Sequence, residues 1–132
     1  MRQPLQSPHV PPPQTAYSQA MLATGSRTLY ISGQVPVEAS GQLVGAGDFR
    51  AQVHQVFRNL QANLEAAGAA WTEVVKLTVF LTDMADFPIF NEVRQEYLVA
   101  PFPAATTAAV SALVSPEWLV EIEAIAVLAA ER

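Results

Sequence analysis

Residues 119–128 read Leu119-Val120-Glu121-Ile122-Glu123-Ala124-Ile125-Ala126-Val127-Leu128, and their alternation decides how the chain folds. Val120, Ile122, Ala124, Ala126 and Leu128 make one wholly apolar side, while Leu119, Glu121, Glu123, Ile125 and Val127 make the other. Successive side chains of a strand point to opposite faces, so this segment predicts a strand with one face in a core and one of mixed character. Val74 to Leu81 repeats the pattern, with Val75, Leu77, Val79 and Leu81 on one side and Lys76 and Thr78 on the other. The chain should therefore build a sheet with two chemically distinct faces.

Working outward, the period changes. From Asp48 the residues Phe49, Val53, Val56, Phe57, Leu60 and Leu64 recur at spacings of three and four, one stripe of an amphipathic helix with Asp48 as N-cap and Gly68 as its stop. Ile89, Phe90, Val93 and Tyr97 predict a second helix, capped by Asp86 and ending near Val99 because Pro101 and Pro103 forbid continuation. Ala16 to Ala23 and Thr28 to Val35 flank Gly25-Ser26 and read as a hairpin, and residues 36–47 read as a loop. Residues 104–112 are small and weakly patterned, with Thr106, Thr107 and Val110 favouring a strand. Residues 1–14 carry five prolines and read as an extended arm without regular structure, leaving residues 15–132 as one domain. The order is ββαβαββ, an α+β two-layer sandwich with two helices on one face of a mixed sheet.

Composition narrows the function. Hydrophobic residues make up 51% of the 132 and charged residues 14%, an apolar excess that predicts an oligomer, with the mixed sheet face as its interface. The net charge is −5 and the seven Lys and Arg residues form no run, which disfavours a nucleic-acid partner. With no cysteine and two histidines, disulfides and a thiolate nucleophile are excluded and a metal site is disfavoured. No stretch is long and apolar enough for a membrane span, and the first thirteen residues do not read as a secretory signal, so the cytoplasm is the expected location.

Four segments, taken together, carry a likeness. Tyr17, the run Ile31-Ser32-Gly33-Gln34-Val35-Pro36, the strand Val74–Leu81 followed by Asp83, and Val120–Val127 resemble the RidA proteins, also called the YjgF or liver perchloric-acid-soluble protein family. The resemblance extends over nearly all of the chain from Tyr17 onward. It implies a chorismate-mutase-like homotrimer, free of cofactor and metal, with three clefts between subunits that bind a small molecule, in relatives an enamine or imine acid awaiting deamination. A ribonuclease activity is attached to some relatives, but the acidic charge and the lack of a basic run argue against it here.

The resemblance also implies a site. Glu121 matches the family glutamate that handles the attacking water, and alternation puts Glu123 on the same sheet face, about 7 Å along the strand. Tyr17 corresponds to a tyrosine at the cleft rim; Ser32, Gly33 and Gln34 to the cleft floor; Asn91 to an asparagine near the cleft; and Thr107 to a position whose backbone binds ligand. Each has a plainer reading. Tyr17 can pack an interface, the Ser32–Gln34 triplet can be a bulge, Asn91 can be a solvated helix residue, and both carboxylates can line a water-filled channel. One departure stands out: relatives have arginine after Pro-Ala in the strand following the second helix, and this chain has Ala105. A charge-assisted contact to a substrate carboxylate contributes about 1.5–3 kcal/mol, and alanine supplies none of it. The resemblance then implies weakened deamination, or a substrate without the usual carboxylate. Arg94, adjacent to Val93 on the second helix, is expected to face water rather than replace the anchor, and His54, beside the first helix's stripe, is expected to be solvated.

Overall fold

The computed structural model describes residues 1–130. Its elements are β1 (Arg2–Leu5), β2 (Ala20–Ala23), β3 (Arg27–Gln34), α1 (Phe49–Ala66), β4 (Val74–Leu81), α2 (Phe87–Arg94), β5 (Ala104–Ala109) and β6 (Val120–Leu128). A four-stranded mixed sheet has the order β3-β6-β4-β5, antiparallel except for the parallel β4/β5 pair, and a two-stranded sheet joins β1 to β2. Both helices contribute to the core on one side of the larger sheet, which is the α+β two-layer sandwich expected from the alternating faces.

The central strands behave as their sequence requires. Val120, Ile122, Ala124, Ala126 and Leu128 are all buried, meeting Leu77, Val79 and Leu81 of β4 and the α1 stripe Phe49, Val53, Val56, Phe57, Leu60 and Leu64. Asp48 caps α1 by accepting from the Ala51 N–H at 3.1 Å, and Gly68 leaves the helix at φ +71°, a conformation that β-carbon sterics make costly for other residues. At the start of β4 the register shifts between Val74 and Lys76, so Val74 takes the fully buried place and Val75 is only half-buried.

Four local expectations are corrected. The hairpin around Gly25-Ser26 does not form: β2 pairs with β1, and β3 pairs with β6, Ile31 facing Ala124 and Leu29 facing Ala126. The pairing with β6 buries the apolar side of β3, which the four-residue β2 cannot do. The N-terminal arm contains a strand, tied to the body by Arg2, whose Nη1 donates to the Val74 carbonyl at 2.8 Å. Helix α2 ends at Arg94, five residues before Val99, because Tyr97 turns back to stack on Phe57 with centroids 4.8 Å apart and planes 7° from parallel. Finally, His54 is half-buried, its Nδ1 2.7 Å from the Tyr97 hydroxyl, and burial of that tyrosine is the main cause that raises its pKa.

Two connections position the site. Buried Gln52 on α1 donates to the carbonyls of Gly45 and Glu117 and accepts from the Leu119 N–H, clamping the loop before the helix to the lead-in of β6. Ser18 forms a parallel bridge with Ala104, its N–H donating to the Pro103 carbonyl at 3.0 Å and its hydroxyl to the Phe102 carbonyl. The segment Thr15–Gln19 is thereby laid along the free edge of β5.

Candidate functional site

That edge forms one wall of a cleft of about 570 Å³. Strand pairing sets Ala105 beside Leu77 and Thr107 beside Val79, so both point to the helix side of the sheet, and both line the cleft. Thr15 and Tyr17 reach it from the segment laid along β5, Met84 from the turn leading into α2, and Phe87 and Pro88 from the first turn of α2. Arg94 completes the lining from the last turn of α2.

Arg94 does not face water; it is 1% exposed. Its Nε and Nη2 donate to the Asn91 Oδ1 at 3.0 and 2.8 Å, and Nη2 donates to the Thr15 hydroxyl oxygen at 2.8 Å. The guanidinium carbon lies 5.1 and 5.9 Å from the ring centroids of Phe90 and Phe87, within cation–π range. Burial lowers its pKa to about 10, with Tyr17 partly offsetting that, so it is still a cation at neutral pH. The reason for its placement was present in the sequence. Phe87, Phe90, Asn91 and Arg94 follow one another at i, i+3, i+4 and i+7, a single helix face, so Arg94 belongs to the packed stripe and not to its margin. Asn91, expected near the cleft, enters as the residue that orients this arginine.

The other site residues lie across the sheet. Glu121 pairs with Phe80 and Glu123 with Thr78, on the face turned away from the helices. There Glu123 is exposed and raises the pKa of Lys76, against the larger effect of partial burial, while the Lys76 Nζ donates to Thr106 Oγ1 at 2.7 Å. Between Ile31 and Gln34 the register with β6 shifts, so Ser32 and Gly33 form a bulge, and Gln34 Nε2 donates back to the Ser32 carbonyl at 2.9 Å. Gly33 lies against Glu121: a β-carbon at position 33 would overlap the Glu121 carboxylate. The glycine thus makes room for the chain's own carboxylate, which lies half-buried over the bulge.

One chain therefore gathers Tyr17, Ala105 and Thr107 in the cleft, with Asn91 behind them, and groups Ser32, Gly33, Gln34, Glu121 and Glu123 elsewhere. Thr15, Met84, Phe87, Pro88 and Arg94 were not expected in the site; the bridge from Ser18 to Ala104, which brings in Thr15, has no signature in a single sequence.

The family model described as endoribonuclease L-PSP matches residues 8–128. The chain belongs to the RidA/YjgF family. A RutC family protein of Pyrococcus horikoshii is 40% identical over 126 residues, 96% of this chain and 98% of its own length. The 2-iminobutanoate/2-iminopropanoate deaminase of Homo sapiens is 43% identical over 112 residues, 84% of this chain and 79% of its own. Among solved structures, a Rid-family protein of unknown function from Yersinia pestis superposes with a TM-score of 0.89 at 35% identity, over 96% of this chain and 98% of that one. Within this RidA-family chain, Arg94 is the one Lys or Arg among the residues lining the cleft beside β5.

Proposed function

We propose that this RidA-family protein is a cytoplasmic homotrimer that binds a small metabolite in clefts between subunits, without a nucleic-acid partner and without strong 2-imino acid deamination. The observation that carries this reading is the division of the site between two faces of one sheet. A cleft lined by Tyr17, Ala105 and Thr107 opens on the helix side, whereas Glu121, Ser32 and Gly33 lie on the opposite face. A ligand meeting both sets needs the open face of a second chain beside the β5 edge of the first. That face carries Tyr30, 75% exposed, and Ile125 directly opposite it, apolar groups suited to an intersubunit surface. The alanine at position 105 supports binding over catalysis, since it leaves no cation on β5 to hold a substrate carboxylate.

A second reading is favoured by Glu121 and by relatives named as deaminases: cofactor-free hydrolysis of an enamine or imine. In that reaction water adds to the imine carbon, Glu121 takes its proton and returns one to the nitrogen, and ammonia leaves as the carbonyl forms. The expectation of a substrate without a carboxylate came from Ala105, and the place of Arg94 in the cleft supports a substrate that keeps one. Light scattering and ammonia release from 2-iminobutanoate generated in situ test both readings. A mass three times that of the chain with ammonia release near background is the expected result. Rapid release would replace the binding role by the hydrolase, and a monomer at micromolar concentration would end the intersubunit cleft.

A further inference from the structure

We propose that Arg94 is the anion anchor of the cleft, gripping the carboxylate of a small organic acid from α2 where position 105 on β5 supplies no charge. The inference rests on the reading of the cleft as a ligand site and adds to it the class of ligand and the residue that selects it.

The argument begins with what a buried guanidinium requires. Removing an arginine from water is costly unless an anion pairs with it, and natural buried arginines are accordingly matched with carboxylates. Among the described residues no carboxylate forms an ion pair with Arg94. Its protein partners are neutral oxygens, the Asn91 amide and the Thr15 hydroxyl. A long apolar side chain on this stripe would pack against Phe87 and Phe90 without that cost, so filling space does not explain the charge.

Counting donors shows where an anion fits. A guanidinium has five N–H groups, and Asn91 and Thr15 accept from Nε and Nη2 only. The two N–H groups of Nη1 have no protein acceptor among the described residues, and no fully buried side-chain nitrogen there lacks a partner, so Nη1 is not wholly enclosed on a residue that lines the cleft. The Thr15 oxygen accepts from Arg94, which leaves its own hydrogen for a ligand. One carboxylate bound between Nη1 and the Thr15 hydroxyl would satisfy both. Asn91 holds the guanidinium by two bonds to one oxygen and so fixes its plane before the ligand arrives, which lowers the entropy lost on binding. Beyond the carboxylate the lining turns apolar, with Met84, Phe87 and Pro88, which suits a tail of a few carbons.

The test compares 2-oxobutanoate with 2-oxobutanamide, nearly equal in shape and differing in charge, by calorimetric titration of the full-length wild-type assembly. The acid should bind at least tenfold more tightly than the amide. Arg94→Gln should abolish that preference, Arg94→Lys should keep part of it, and Thr15→Val should reduce it several-fold. Equal affinities in the wild type, or a full preference surviving in Arg94→Gln, would overturn the anchor and leave the cleft intact as a binding site. Binding of neither compound by the wild type would overturn the cleft as well. If the Arg94 variants do not fold, Thr15→Val keeps the assignment testable, and an undiminished acid preference in that variant would overturn the clamp of Arg94 and Thr15.

Discussion

The two faces of the four-stranded sheet arise from the same alternation of side chains, yet they end in different chemical states. On the helix side, Phe57 is fully buried, stacks on Tyr97 and lies 5.8 Å from Trp71, both partly buried, and even the charged Arg94 is drawn in and bonded. On the other side, Tyr30 stands mostly exposed, Glu123 is open to solvent, and Lys76 reaches sideways to Thr106. A face closed by its own chain is completed when one copy folds. A face of mixed Tyr, Ile, Val, Thr and Glu is suited to the association proposed above, because it is too apolar to be well solvated and too polar to form a core. Charge on the closed side is therefore expected to act through ligand binding, and charge on the open side through assembly and catalysis.

Substitutions can break this contrast. The largest effect on stability belongs to the closed side: Phe57→Ala, which empties the centre of the aromatic cluster, should cost about 3–5 kcal/mol and lower the melting temperature by roughly 10 °C or more. Calorimetry that showed a shift of only a degree or two would mean that the cluster collapses around the cavity and that the closed side is more plastic than its stacking suggests. Next comes Ile125→Asp on the open face, opposite Tyr30. It should convert the proposed trimer to folded monomer, read as a threefold fall in mass by light scattering with helix content retained in circular dichroism. A surviving trimer would place the subunit interface on another surface.

The smallest effect sharpens the contrast within the open face. Glu121 lies half-buried against Gly33, whereas Glu123 is exposed and near Lys76. Glu121→Gln should reduce ligand affinity or any ammonia release several-fold, and Glu123→Gln should change either by less than about twofold. Equal losses measured by titration would return both residues to the role of channel-lining charges.

Much of this division was legible in the sequence. The period of two in residues 119–128 and 74–81 marks which side chains share a face, because strand geometry leaves them no alternative. The stripe from Phe49 to Leu64, with Asp48 before it and Gly68 after it, defines α1 through interactions that are all local. The position of Arg94 was legible too, as the fourth member of a spacing begun by Phe87, though charge argued for water and the spacing for burial. The spacing prevailed because Asn91 and Thr15 satisfy three of the guanidinium's donor bonds and two aromatic rings shelter it.

What the sequence by itself determined, then, is the class of each segment, the face each side chain takes, and membership of the RidA family through residues spread from Tyr17 to Val127. Only the tertiary structure decided which strands pair, that the N-terminal arm contributes a strand, where α2 stops, and that Thr15 and Tyr17 lie along β5 next to Ala105. The physical reason is the same in each case. A side-chain pattern specifies which face of an element seeks burial, but the backbone groups of a strand bond equally well to any edge that reaches them. The partner is then chosen by the total apolar surface buried across the molecule, a quantity that no local window of sequence contains.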